Sequence, residues 1–337
     1  MSISSPRRPH VTASPQSLGA KLRDRAWLGR QAERYVTLVA FALMIAVFWA
    51  MRPESFGTWV NFRSVLDQAA IIVLLSVGLT VVLAVGEFDL SFPFAIGLAS
   101  AAGALMMTKY GLGPAVAIVV GLGTGVLAGI VVGAATSLQR ASSFIVTLAF
   151  GFVWKGTADA VTGSQTIADG ITNSFVAITD TKIWNISLAV FVAAGFSLIA
   201  AAMLRYTVFG RYLQSVGSNP EAARLAGLGL TRIRIAAYAF LGLGAATAAL
   251  IITSRQAQYT PGIGEGLFLQ PYVAAFFGMS VLATRRFNVF GTVIGALFIG
   301  ALETGLIMVQ AEAWVGRVVQ GGVLAVIVLA ARRARGR

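Results

Sequence analysis

Apolar residues run in long unbroken stretches along this chain, near 35–51, 65–85, 92–108, 113–138, 142–161, 184–204, 234–254, 267–283, 288–309 and 314–331. A helix needs about 20 apolar residues to cross a hydrocarbon core, and it satisfies its own backbone hydrogen bonds there. A membrane β-barrel would instead show short segments alternating every second residue, and these runs do not alternate. The pattern predicts an all-α polytopic membrane protein with about ten transmembrane helices. The runs at 92–108 and 267–283 are short, and broken or re-entrant helices are expected there.

Composition agrees with that reading. Hydrophobic residues make up 57% of the 337 residues, charged residues only 12%, and the mean hydropathy is +0.80. A soluble domain carries about 25% charged residues. The net charge of +13 is placed as topology requires, not as a nucleic-acid surface. Most of the Lys and Arg residues lie in the tails, at Arg140, in the loop 205–233 and at Arg285–Arg286. The excess of basic residues in cytoplasmic loops then puts both termini inside and the polar loop 162–182 outside. Residues 1–34 read as an uncleaved, disordered basic cytoplasmic tail resting against anionic lipid. Their polar region is too long for a signal peptide, and no A-x-A site follows the first apolar run. Residues 35–331 form the transmembrane domain, and 332–337 a second basic cytoplasmic tail.

Catalytic chemistry is missing. The chain has no Cys, and its one His, His10, lies in the polar tail, which argues against thiolate or imidazole metal sites and nucleophiles. None of Lys21, Lys109, Lys155 and Lys182 precedes Ser or Thr, so no phosphate-binding loop is present. No Ser-x-x-Lys, G-x-S-x-G or H-E-x-x-H pattern occurs. No catalytic residue and no metal ligand is assigned, and transport or channel function is what remains.

Three patterns invite a role. The stretch "AVGEFDLSFPF" (84–94) sets Glu87 and Asp89 between apolar runs, with Gly86 and Pro93 permitting a helix break. One reading has Asp89 capping a helix that restarts near Pro93, with Ser91 beside it; the other leaves both acids in a cytoplasmic turn. Glu303, well inside its run, either lines a path or pairs with a basic group such as Arg317, since charges within the membrane face cavities or partners. Gly121, Gly125, Gly129 and Gly133 repeat every four residues on one helix face, which favours close helix packing; Gly291, Gly295 and Gly300 mark a second such run. Within 205–233, Asn219 is a good N-cap, Pro220 suits the first helical position and Glu221 complements the helix dipole. Gly227 or Gly229 ends this short helix, expected at about 220–227. Its apolar face of Ala222, Leu225 and Ala226 rests on the membrane or plugs into a cytoplasmic partner.

"VGSNPEAARLAGLGLTRIRIAAYAFLGLGAATAAL" (216–250) closely resembles the permease subunits of bacterial ABC importers for simple sugars, the ribose/xylose/galactose group. Gly217, Asn219, Ala222, Ala223 and Gly227 match the family's G-x-N-x-x-A-A-x-x-x-G-I pattern, with Leu228 where Ile is common. "VGEFDLS" keeps Gly86, Asp89, Leu90 and Ser91 of a G-G-I-D-L-S-type segment, while Glu87 and Phe88 depart from it. "FNVFGTVIGALFIGALETGLIMV" resembles a G-T-x-I-G-A-L-x-I-G segment. The family's glycine-rich G-G-T-S-L-x-G-G turn is reduced to Gly278 and Ser280, and Glu303 stands where a neutral polar residue is common. The resemblance implies a type II-like ABC importer permease, working in the inner membrane as a homodimer or heterodimer. It implies a cytoplasmic ATPase that binds the ATP and Mg, a periplasmic solute-binding protein, and no cofactor in this chain. It also implies an ATPase-coupling segment made of Gly217, Asn219, Pro220, Glu221, Ala222, Ala223, Arg224 and Gly227. Phe92, Phe94, Phe276 and Phe277 then either stack on a sugar or pack among helices. Two other readings stand beside this one: a stand-alone ion-coupled carrier or channel using Glu87, Asp89 and Glu303, and a branched-chain amino-acid ABC permease.

Overall fold

The computed structural model describes residues 38–138, 142–281 and 286–335; the basic residues at 1–34, Arg140 and Arg285 lie outside these. A helix fills each of the ten apolar runs: α1 (Leu38–Met51), α3 (Trp59–Ala84), α4 (Phe92–Thr108), α5 (Pro114–Leu138), α6 (Ser143–Thr162), α8 (Leu188–Tyr206), α11 (Leu230–Gln256), α12 (Gln270–Val281), α13 (Val289–Met308) and α14 (Ala313–Arg335). Six of them, α3, α5, α6, α8, α11 and α13, are long and apolar enough by themselves to cross a membrane. Between them lie the short α2 (Pro53–Phe56), α7 (Asn173–Asp180), α9 (Val208–Ser218) and α10 (Pro220–Leu225). The only sheet among the described residues is a hairpin, β1 (Lys182–Ile183) with β2 (Ile186–Ser187).

Two of these elements change the boundaries expected from the apolar pattern. Trp184 and Asn185 have φ of 51° and 62°, the left-handed pair that closes a two-residue hairpin turn. The helix expected from 184 therefore starts only at Leu188, where the Ser187 side chain caps it. The loop 205–233 is mostly helical, because α9 buries Leu213 and Val216 at helical spacing. α14 also continues past 331 to Arg335.

The architecture repeats a motif in opposite directions. A long helix, a break, a short helix and a glycine-faced helix follow one another as α3, 85–91, α4, α5, and again as α11, 257–269, α12, α13. α3 and α11 run antiparallel. Glu87, just past the end of α3, pairs with Arg234 in the first turns of α11, and Arg255 near the end of α11 pairs with Asp67 in the first half of α3 at 2.7 Å. Each glycine-faced helix packs on the long helix of the other half, α5 on α11 and α13 on α3.

The glycines set how closely these pairs approach. A Cβ at Gly125 would sit 2.5 Å from Ala246 Cβ, one at Gly133 2.8 Å from Ile235 Cα, and one at Gly129 would overlap the Tyr238 carbonyl. Gly121 faces Leu250 in the same row. Buried hydroxyls tie further crossings: Thr80 to Thr292 at 2.7 Å, Ser100 to Thr253 at 2.5 Å and Thr179 to Ser254 at 2.8 Å. Interhelical bonds of this kind are worth about 0.6–2 kcal/mol in lipid. At the end away from α10, Trp49, Trp59, Trp184 and Trp314 are all exposed, as the interfacial aromatic belt of a membrane protein would be.

Gly129→Val should force α5 and α11 apart and cost about 1–3 kcal/mol, as overpacking does. Gly123→Ala, where an added Cβ meets nothing within 4 Å, should leave the unfolding midpoint of detergent-solubilised protein unchanged or raise it. Equal effects from the two substitutions would contradict the glycine-faced packing.

Candidate translocation and coupling site

The break at 85–91 is where the sequence-predicted residues converge. Val85 ends α3, and Gly86 has φ of 87°, a turn that a side chain would strain. The chain then runs without helical bonds until Phe92 and Pro93 start α4. Asp89, Leu90 and Ser91 are buried, so their polar backbone needs partners inside the protein.

Side chains from several helices supply them. Phe88 N donates to Ser143 Oγ at 3.2 Å and Leu90 N to Thr147 Oγ1 at 3.0 Å, both on α6. Ser91 N and Ser91 Oγ each donate to Asp89 Oδ1 at 2.6 Å. Tyr238 of α11 donates to the Phe88 carbonyl at 2.9 Å, and Tyr272 of α12 to the Asp89 carbonyl at 2.6 Å. The Asp89 carboxylate thus holds the backbone just before α4, while Ser91, at the N-cap position, makes no side-chain cap of its own. With Asp89 only 3% exposed, it does not sit in a solvated turn. Ser143, Thr147, Tyr238 and Tyr272 escape a reading of the sequence, since hydroxyls are common in membrane helices and these lie 55 to 183 residues from their partners.

The same break is gripped from the loop 205–233. A Cβ at Gly217 would overlap the Ala84 carbonyl, so only glycine lets the end of α9 lie against the end of α3. Glu87 Oε1 lies 2.9 Å from Arg234 Nε, with both side chains largely buried. Between α9 and α11 stands α10, where the Asn219 side chain accepts from Ala222 N at 3.0 Å, Pro220 takes the first turn and Gly227 turns the chain at φ of 81°. The helix ends at Leu225, two residues before the expected 227. Ala223 is buried against its own chain, whereas Ala222 and Ala226 are exposed and Leu225 is 85% exposed. Glu221 and Arg224 pair with each other at the surface.

A cavity of about 940 Å³ opens beside this assembly, lined among others by Gly86, Glu87, Leu90, Gly217, Phe268 and Tyr272. Phe276 also lines it; Phe92 and Phe277 are buried in packing, and Phe94 lies against Gly151 and Phe152. Glu303 stands on α13 and is held from α12 and α14. Its Oε1 accepts from Gln270 Nε2 at 2.5 Å and from Gln320 Nε2 at 3.3 Å. Of the two roles expected for Glu303, pairing with a basic group such as Arg317 gives way to these two amides. No group of three or more potential metal ligands occurs among the described residues.

Thr147→Val keeps the shape of α6 but leaves the buried Leu90 N–H without an acceptor. It should lower stability by about 1–3 kcal/mol, read as a fall in the unfolding midpoint. Ser143→Ala, facing the exposed Phe88, should change it by less than about 0.5 kcal/mol.

Residues 61–328 match the family model described as branched-chain amino acid transport system / permease component. Similar curated proteins are the ribose import permease protein RbsC of Bacillus subtilis, 31% identical over 294 residues covering 87% of this chain and 90% of that protein, and the L-arabinose ABC transporter permease protein AraH of Azospirillum brasilense, 30% identical over 339 residues covering 97% and 96%. The ribose import permease protein RbsC of Escherichia coli K12 is 28% identical over 321 residues, covering 92% and 96%. With a helix in each of the ten apolar runs, a broken pair at the centre and this match over most of its length, the chain belongs to the permease-component family of these transport systems.

Proposed function

We propose that this chain is the membrane-spanning subunit of an ATP-driven importer that carries a simple sugar or sugar-like solute across the inner membrane, both termini facing the cytoplasm. The observation that carries the proposal is α10. It is an exposed, capped helix too short to be stable alone, presenting Leu225 to solvent while Ala223 anchors it. A stand-alone carrier has no use for such a plug, whereas a separate ATPase needs one. The sugars named for the relatives favour a sugar over a branched-chain amino acid.

The partners follow from this role: a second permease subunit, a cytoplasmic ATPase that binds ATP and Mg, a periplasmic solute-binding protein and the surrounding lipid. ATP binding would move α10. Its neighbours on either side, Gly217 against the end of α3 and Arg234 on Glu87, would pass that motion to the break at 85–91. Glu87, the residue that departs from the family pattern, thereby acts as a link in coupling, and Asp89 with Ser91 holds the break that has to move.

Leu225→Asp should abolish uptake of labelled pentose into vesicles containing the full transporter, while the chain still inserts in normal amounts. Normal uptake with no ATPase present would contradict the proposal. Glu87→Arg and Arg234→Glu should each reduce uptake by about tenfold or more, because one member of a largely buried pair is left uncompensated. The double exchange should recover a substantial part, whereas additive losses would remove the link.

A further inference from the structure

A second set of charges lies on the other side of the break from the cavity. Lys155 of α6 pairs with Glu265, in the single helical turn Glu265–Leu267 that interrupts the segment 257–269. Around the pair is a narrow cleft lined by Pro93, Phe94, Lys155, Asp159, Tyr259 and Glu265. Lys155 and Asp159 belong to a helix apolar enough to cross the membrane, yet the Lys155 and Glu265 side chains are 41% and 43% exposed. Facing hydrocarbon, a charge costs about 2.5–3.5 kcal/mol by insertion scales and more by other estimates. This face therefore does not belong against lipid.

The cleft and the cavity share one wall. Pro93 lines the cleft and Leu90, three residues earlier, lines the cavity; Glu265 lines the cleft and Phe268, three residues later, lines the cavity. The wall is one turn of chain thick. It consists of the second break packed directly on the first turn of α4, the turn that closes the first break, for a Cβ at Gly264 would overlap the Pro93 carbonyl. Chain without regular structure at membrane depth is tolerated where it is buried in protein or lines a water-filled space, and here it does both.

We infer that the polar face around Lys155, Asp159 and Glu265 lines the outer half of the solute path, that the 940 Å³ cavity is its inner half, and that the paired breaks are the barrier between them. The inference rests on the proposed importer role. The chemistry suits a neutral polyhydroxylated solute. Carboxylates accept hydrogen bonds from its hydroxyls and the ammonium donates to them, so such a solute replaces the Lys155–Glu265 contact without leaving either charge unpartnered. A dry contact with a second copy is the weaker alternative. A dry contact would desolvate two carboxylates, Asp159 and Glu265, against the single ammonium of Lys155, which is costly for an unmatched charge.

The chain contains no cysteine, so each introduced thiol is its own reporter. Gly156→Cys and Gly266→Cys place that thiol in open space, and Leu198→Cys puts one on an exposed apolar site of α8. After confirming equal amounts in the membrane, sealed spheroplasts holding the complete transporter are treated with a membrane-impermeant methanethiosulfonate. Thiols in water ionise and react, and thiols in lipid do not. Both glycine variants should be modified at least about tenfold faster than Leu198→Cys, with loss of uptake on modification. Modification no faster than at Leu198→Cys, a spontaneous disulfide between two copies at position 156, or full modification with uptake intact would each overturn the inference. Labelling reports water and not solute identity, so a failure of the sugar reading shows separately, as absent pentose uptake by the unmodified protein.

Discussion

A chain that interrupts a helix inside an apolar protein must find a partner for every polar backbone group it frees, and much of this structure is arranged around that requirement. At 85–91 the partners come from α6, α11 and α12, through Ser143, Thr147, Tyr238 and Tyr272, and from the chain's own Asp89. Each unmade bond in such a place costs on the order of 1–3 kcal/mol. The break is thus a specified feature, held by side chains that have to arrive from four directions at once, and it ties α4, α6, α11 and α12 into one unit.

That unit touches both the part expected to receive force and the part expected to pass solute. Gly217 and Arg234 flank α10 and meet the break from two sides, so a displacement of α10 has short, stiff routes to Asp89. Tyr272 binds the Asp89 carbonyl from the first turn of the half-helix that follows the second break. The second break packs at Gly264 on Pro93, in the first turn of α4 that closes the first break. Antiparallel repetition of one motif puts them there: each half supplies a break, and each glycine-faced helix clasps the long helix of the other half.

Much of this is legible in the sequence, and the limits have physical causes. Ten apolar runs stand out because hydrocarbon thickness imposes a length, and Asn219, Pro220 and Gly227 mark α10 because capping is local. Helix α9 does not stand out, although Leu213 and Val216 are helically spaced, because eleven residues with polar positions between them make no apolar run. Trp184–Asn185 merges into an apolar run, since nothing about a tryptophan announces a left-handed turn. The hydroxyls that satisfy the break are invisible for a deeper reason: hydrogen bonds spanning up to 183 residues exist only once the helices are packed. Lys155 looks like a stray charge in an apolar run and Glu265 like an ordinary charge in a loop, and only the fold brings them together. Glu303 is recognisable as unusual, but its amide partners on α12 and α14 are not.

The central claim is that the two breaks form one barrier which ATP-driven motion of α10 opens. The most direct measurement is the distance between spin labels on Gly156→Cys and Gly266→Cys within one labelled copy diluted among unlabelled ones. It is taken in the complete transporter by electron–electron double resonance, without nucleotide and with ATP trapped at the ATPase. The account predicts a single short distance without nucleotide and a longer population with trapped ATP, absent when Leu225→Asp uncouples α10. The same distance distribution with and without trapped ATP would contradict it.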